Sequence, residues 1–542
     1  MRDAPAGSTS KALALIVLAL LVLALESGRA FQIDDTIYIR WAQGLAGHGL
    51  DPYASEINWF GTNESIATAM RNPPLAPWVL GPLGTLLHWS ERLLHLAQLV
   101  PSAVFLVATW ILARRWCSRP LVALALVAGS PAFLVTGASI MADIWLAAAW
   151  AVAVCCWCQP ASARSTTLAL LALLVAATTK WFGLALVPLL LAWELQQERR
   201  LTPRCLGLAL PLFSTFALDR WTSAAHGVSI FAEATSIATD APRSSALLLH
   251  SWGGLGFLGG ALAGALFVLP FLARTRWRLV VAVVVLACVT APLVQAKLAD
   301  WPLAASATSG ERWLIVLQFG VWASCGALLL AQALGGLWRG PASARFLGLW
   351  AGGTFVFTVY LNWGFPVRNF LPALPALAIV LANALADVPF LARRAGERVL
   401  AAALVAGAAL GVLLLRADTE FADEARAGAS ALVRAHAGRP VWFEGHWGFQ
   451  YYAEAEGAHA LDLAHPAAAA GDVLLVPLLN ANLAELPADR TRVLERRVVP
   501  LRSPFVVLGP RSGAGFWADG MGPLPFAWNL GEVAETWVLE LR

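Results

Sequence analysis

The chain has 542 residues, of which 58% are hydrophobic and 13% charged, whereas soluble proteins carry about 45–50% apolar and about 25% charged residues. These proportions exclude a cytosolic, secreted or nucleic-acid-binding protein and require a polytopic membrane protein, and a formal net charge of +4 is too small to imply a polyanionic partner. All seven cysteines lie in or beside apolar runs, so they offer neither a disulfide framework nor metal-ligand spacing, and Cys155, Cys156 and Cys158 read as small buried hydrophobes.

A membrane-crossing helix needs about 20 mostly apolar residues. In chain order such runs cover residues 12–26, 92–113, 121–136, 140–158, 166–179, 181–195, 205–218, 252–273, 279–296, 313–334, 346–361, 370–385 and 399–415. They predict a polytopic α-helical protein with about thirteen transmembrane helices, the pair flanking Lys180 being alternatively one long broken helix. Arginines cluster at Arg114, Arg115 and Arg119, at Arg199, Arg200 and Arg204, at Arg274, Arg276 and Arg278, at Arg339 and Arg345, and at Arg393, Arg394 and Arg398. Alternating the spans from an inside N-terminus puts every cluster on the cytoplasmic face, where short loops collect Lys and Arg. The expected location is therefore the cytoplasmic (inner) membrane, with the C-terminal tail outside. The first run also has features of a cleaved signal peptide, with Arg2 and Lys11 ahead of it and Gly28-Arg29-Ala30 behind, but the later spans need no cleavage to make sense.

Two extramembrane segments are large. The first external loop, residues 27–91, contains Ile37, Ile39, Trp41, Ala42 and Leu45 at a spacing that suits a helix lying along the interface. Residues 1–416 form the membrane domain, and residues 417–542 change composition sharply and read as a small soluble α/β domain. Its expected elements are a helix at 418–437 and strands at 440–444, 472–476, 493–500 and 505–508.

The ionisable residues outside the arginine clusters fall near the outer surface. Asp34 and Asp35 follow the first span, Asp143 heads the fourth, Lys180 stands at the turn between the fifth and sixth, Lys297 and Asp300 follow the ninth, Glu311 and Arg312 precede the tenth, and Arg368 precedes the twelfth. Lys180 is one of three lysines among 38 basic residues, a departure from the chain's preference for arginine. Charges at membrane depth cost several kcal/mol unless paired or facing a cavity, so this set predicts a polar cleft, embedded in the membrane and opening outward. There a carboxylate can act as general base on an acceptor while cations stabilise a departing phosphate. Each residue also has a structural reading: Asp34, Asp35 and Asp143 as helix caps, and Lys180 and Arg368 as snorkelling anchors. His446 and Trp447, after a tail strand, are candidate contacts to an acceptor sugar or simply a packed loop, and the Asn63-Glu64-Ser65 sequon is a short chance-prone match.

Several segments resemble a family. Phe31-Gln-Ile-Asp-Asp-Thr-Ile-Tyr38, Ala42, Leu45, Pro52-Tyr53 and Asn72-Pro73-Pro74-Leu75 are similar to the first external loop of GT-C fold glycosyltransferases of the protein O-mannosyltransferase and aminoarabinose-transferase superfamily. Ser139-Ile-Met-Ala-Asp143-Ile, Thr179-Lys180-Trp-Phe-Gly183 and Arg368-Asn-Phe-Leu-Pro372-Ala-Leu-Pro375 are similar to further segments of that group, in the same order, over roughly the first 415 residues. The resemblance implies a GT-C-like membrane domain that transfers a sugar, with inversion, from a polyprenyl-phosphate carrier to a lipid, glycan or protein acceptor at the outer face. Carried over by position, Asp34 or Asp35 would be the catalytic base or would position the acceptor. Lys180 and Arg368 would face the donor phosphate, with Asp143, Asn72 and Tyr38 supporting the site. Members of the family often place a basic or histidine residue where this chain has Asn72, which puts any contact made there in question. Asp34 and Asp35 with Asp143 offer oxygen ligands for a divalent cation, but neighbouring side chains in an extended segment point to opposite faces, so a metal is left open. The rival readings are a transporter or flippase of a lipid-linked or amphipathic substrate, and a scaffold that uses its tail for interaction.

Overall fold

The computed structural model describes residues 6–240, 247–272, 308–485 and 488–542, together with residues 277, 281, 284 and 285. The expected span at 279–296, the Arg274, Arg276 and Arg278 cluster, and Lys297 and Asp300 lie outside the described residues.

Helix α1 (Ala6–Leu25) is followed by a segment with a turn at each end and then by α2 (Asp35–His48), whose N-terminal half is buried. A short hairpin, β1 (Glu56–Asn58) with β2 (Asn63–Ser65), and helix α3 (Leu75–Leu86) complete the first external segment. Next come α4 (Leu99–Trp116), α5 (Asp143–Trp157), α6 (Ala163–Thr179) and α7 (Leu186–Glu198), then α8 (Leu247–Ala261), α9 (Ser309–Arg339), α10 (Ala342–Val356) and α11 (Leu374–Ala386).

Among the described residues six helices are long and apolar enough to cross a membrane, or up to eight if each of two bent pairs counts as one span. Fewer elements therefore meet the length criterion than there are apolar runs. The run at 121–136 breaks into Pro120–Ala128 and Pro131–Gly137, bent by 50°, because Pro131 opens a new helix with Ser130 as its cap. Helices α5 and α6 have 15 and 17 residues, and at about 1.5 Å per residue each falls short of the hydrocarbon thickness of about 30 Å.

The chain turns back sharply at Lys180. The backbone there is extended, a 3-10 turn covers Trp181–Ala185, and Gly183 lies so close to helix α6 that a Cβ would sit 2.3 Å from Ala176 C. Helices α6 and α7 are thus two elements joined by a tight hairpin, not one broken helix.

The expected tail helix at 418–437 is the continuation of the last span. Helix α12 (Arg394–Ala435) has 42 residues, which at about 1.5 Å each is about twice the hydrocarbon thickness. The sharp change in composition near residue 416 marks where this helix passes from apolar to polar surroundings, and no Gly or Pro stops it there. Beyond it lie β3 (Val441–Phe443), α13 (Trp447–Ala455), β4 (His459–Ala460), β5 (Val473–Pro477), β6 (Thr491–Pro500) and β7 (Val533–Leu541). They build a five-stranded sheet in the order β4-β3-β5-β7-β6. The β3 pairings are parallel and those of β7 antiparallel. Strand β7, absent from the expectation, lies between β5 and β6. The expected strand at 505–508 is instead split between two short ladders.

Candidate active site

Four of the charged residues singled out in the sequence meet in two ion pairs. Asp143 opens α5 and Lys180 closes the antiparallel α6, so Nζ of Lys180 lies 2.7 Å from Asp143 Oδ1. Each sits where its helix dipole favours it, the carboxylate at an N-terminus and the cation at a C-terminus. Arg368 lies in a 3-10 turn (Val367–Ala373) between Pro366 and Pro372, and its Nη2 stands 2.7 Å from Asp34 Oδ2. The Arg368 guanidinium also rests against the Met141 sulfur, in the turn that leads to Asp143. Asp34 occupies the N-cap position of α2 but makes no side-chain cap bond. Its carboxylate is spent on Arg368 instead, and at 28% side-chain exposure it is the most accessible of the four.

Tyr38, one turn into α2, lies near both pairs. Its phenol is buried and pushed well up, by burial first and then by Asp143 and Asp34, with Arg368 opposing. Asn72 reaches the same phenol, Nδ2 to Tyr38 Oη at 3.5 Å, while its carbonyl accepts from the Tyr53 hydroxyl at 2.6 Å. Trp181 donates from Nε1 to the Arg71 carbonyl at 2.6 Å, which docks the Asn72 segment beside the Lys180 turn. Phe182 stacks on Phe357 with centroids 4.2 Å apart, joining that turn to the segment that leads to Arg368.

Asp35 behaves differently from its neighbour. It is fully buried, with Oδ1 accepting from the Ile140 amide at 2.7 Å and Oδ2 from the Gln32 amide at 3.2 Å. Burial pushes its carboxyl up to about 7, against the pull of Arg29 and those two amides. It fastens the first external segment to the turn before α5 and faces no solvent. Glu311 belongs elsewhere, in a capping box with Thr308 and paired with Arg511 at 2.9 Å.

The residues missing from the sequence reading belong to the support. Arg29 and Asp418 form a fully buried pair at 2.6 Å. Asp418 Oδ1 also accepts from Gln32 Nε2 at 2.6 Å and from Trp517 Nε1 at 2.7 Å. The segment between α1 and Asp34 is held further by Asp423, which accepts from the Ala30 amide, and by the Tyr452 hydroxyl, which accepts from the Phe31 amide. Asp418 was legible only as part of a tail helix, and Trp517 carried no local signal. His446 is buried in the tail, its ring tilted against Trp59 with centroids 5.4 Å apart and Nδ1 on Gln450, and burial lowers it to about 4. This loop packs the hairpin β1–β2 onto the tail, and Trp447 is buried with it.

No group of three or more His, Cys, Asp or Glu among the described residues is arranged to hold a metal ion. The carboxylates proposed as ligands have other partners: Arg368 for Asp34, two amides for Asp35 and Lys180 for Asp143. A cavity of about 590 Å³ lies at the far end of α5 and α6, between Arg115, Cys158 and Arg204, away from this cluster. An apolar groove of about 490 Å³ runs between α2 and α3, lined by Leu45, Leu50, Trp78 and Gly81.

No protein-family model matches the chain. None of the curated proteins matches it. Among solved structures, it is similar to ArnT from Cupriavidus metallidurans bound to undecaprenyl phosphate, with 16% identity, TM-score 0.45, and coverage of 88% of this chain and 94% of that one. The apo state of the same ArnT gives 16% identity, TM-score 0.43, and 85% and 87% coverage. The Archaeoglobus fulgidus oligosaccharyltransferase in complex with Zn and sulfate gives 14% identity, TM-score 0.47, and 82% and 62% coverage. The structural likeness is loose, and the functional reading rests on the side chains of the cluster.

Proposed function

We propose that the chain is a membrane glycosyltransferase that moves a sugar from a polyprenyl-phosphate carrier to an acceptor at the outer face of the cytoplasmic membrane. The supporting observation is the juxtaposition of a partly exposed carboxylate, Asp34, with two cations, Arg368 and Lys180, at the ends of membrane-embedded helices. Asp34 accepts the proton of an acceptor hydroxyl or amine as that atom bonds to the anomeric carbon. The bond from that carbon to the carrier phosphate breaks, and the phosphate leaves with the bonding electrons. Attack opposite the leaving group inverts the centre. Arg368 and Lys180 counter the charge growing on the phosphate. Among the described residues, Nε of Arg368 is buried without a hydrogen-bond partner. Asp143 holds Lys180, Tyr38 lies near both pairs, and Asp35 is assigned to the framework. The apolar groove between α2 and α3 starts one to two turns along the same helix and suits the prenyl chain. The donor set makes a poor metal site, so no step is assigned to a cation. The C-terminal sheet stands outside the membrane in this scheme.

The test is to incubate membranes containing the protein with polyprenyl-phosphate sugars and follow transfer, comparing wild type with Asp34→Asn and Arg368→Gln. Loss of transfer in both variants is expected. Full transfer by Asp34→Asn would remove the base assignment, and movement of carrier lipid across vesicles without sugar release would establish transport instead.

A further inference from the structure

The Arg368 turn is gripped from the C-terminal end of the chain. Four consecutive tail residues supply three separate contacts to it. The Phe516 carbonyl accepts from the Val367 amide at 3.0 Å. Asp519 Oδ1 accepts from the Phe365 amide at 3.1 Å, and the approach is tight enough that a Cβ on Gly364 would lie 2.6 Å from that oxygen. Between them the Trp517 ring faces the Arg368 guanidinium, with its carbon 5.7 Å from the ring centroid. Trp517 is itself 1% exposed and fixed by its bond to Asp418, which also holds Arg29 and Gln32 just ahead of Asp34. The same tail segment therefore bears on both members of the Asp34–Arg368 pair.

We propose that residues 516–519 are a built-in clamp for the site, with Trp517 as a positioning residue that holds Arg368 toward the donor phosphate. An aromatic face over a guanidinium limits the side chain to a narrow set of orientations while leaving its outer N–H groups available. The two amide bonds fix the backbone on either side. On this view the C-terminal segment completes the donor site, although it lies beyond the part of the chain that carries the family-like motifs. The donor-facing part of the proposal rests on the glycosyltransferase reading; the clamp does not.

The test uses the full-length protein in lipid nanodiscs, with hydrogen exchange of the segment at 362–370 measured for wild type, Trp517→Leu, Trp517→Phe and Asp519→Ala. Exchange of the Phe365 and Val367 amides at least tenfold faster in Trp517→Leu and in Asp519→Ala is expected, and unchanged exchange in both overturns the clamp. In the transfer assay, Trp517→Leu should raise KM for the polyprenyl-phosphate sugar about tenfold while leaving KM for the acceptor unchanged. Trp517→Phe, which keeps a ring over Arg368 and loses only the bond to Asp418, should recover most of that loss. A fall in kcat with donor KM unchanged overturns the positioning role. If Trp517→Leu does not fold, Trp517→Phe and Asp519→Ala decide the matter. If the wild type transfers no sugar, the glycosyltransferase reading fails and the exchange data alone decide the clamp.

Discussion

Asp34 and Arg368, far apart in the chain, stand 2.7 Å apart as a carboxylate and guanidinium at the mouth of the cluster, and only Asp34 of that pair retains substantial exposure. The adjacent Asp35 points the other way, into the protein, onto the Ile140 amide. One peptide bond thus separates a group available for chemistry from a group committed to structure.

Asp34→Asn should lower kcat per folded molecule by about 10²–10⁴, the usual contribution of a positioned base, and, by leaving the buried Arg368 guanidinium without its carboxylate, should lower the melting temperature as well. Asp35→Asn should act on stability alone. It turns an NH₂ toward an amide donor and costs about 1–3 kcal/mol of stability, while kcat per folded molecule stays within about threefold. Thermal unfolding in detergent read beside initial rates checks both, and equal catalytic losses in the two variants would contradict the division of roles.

Arg29 and Asp418 are wholly buried. Breaking such a pair by removing one partner typically costs about 3–5 kcal/mol, so Arg29→Met and Asp418→Asn should each lower the denaturation midpoint sharply. The double variant should lose less than the two single losses combined, because no unpaired charge is left behind. Additive losses on denaturant titration would show that the two residues do not act as a pair.

Glu444, just after β3, is buried, and burial pushes its carboxyl up to about 7 from an ordinary 4.5. Its folded form prefers the proton, so its favourable contribution is complete below about pH 4.5 and is lost as pH rises to about 7, the unfolded chain ionising first. Whatever the slope set by the other buried groups, such as His446 lowered to about 4, the melting temperature of wild type should fall relative to that of Glu444→Gln between pH 5 and pH 8. Parallel curves for the two proteins would remove Glu444 as the cause.

Helices α8 and α9 cross at glycines. A Cβ on Gly259 would sit 2.1 Å from the Trp322 carbonyl oxygen, and one on Gly326 would sit 1.9 Å from that of Leu255. Small residues permit this approach, which drives helix association in lipid through close packing. Gly259→Ala and Gly326→Ala should each destabilise by about 1–3 kcal/mol, the cost of overpacking. Gly310→Ala, in open space near the start of α9, serves as the control. Equal melting temperatures for all three would mean that the crossing is not close-packed.

Much of the site was legible because charge is scarce in this chain. A charge near a membrane needs a partner, so Asp34, Asp143, Lys180 and Arg368 stood out by type and position alone. Their pairing was not legible, since nothing local in 143 or 180 says that α5 and α6 bring them together. Helix α12 was read as two elements because the composition changes at residue 416, although a helix responds to backbone hydrogen bonding and not to the solvent around it. Strand β7 was missed because its place between two antiparallel neighbours comes from contacts distant in sequence.

What the chain alone determined is its medium: 58% hydrophobic residues bury only in a bilayer, and the few remaining charges must gather where water or a counter-charge meets them. Those are consequences of solvation, which acts on each residue by its own chemistry. The tertiary structure decided the direction of each carboxylate, the pairing of Asp34 with Arg368, and the reach of Trp517 from the far end of the chain. Orientation and long-range contact depend on how helices pack, a collective property that no stretch of sequence carries by itself.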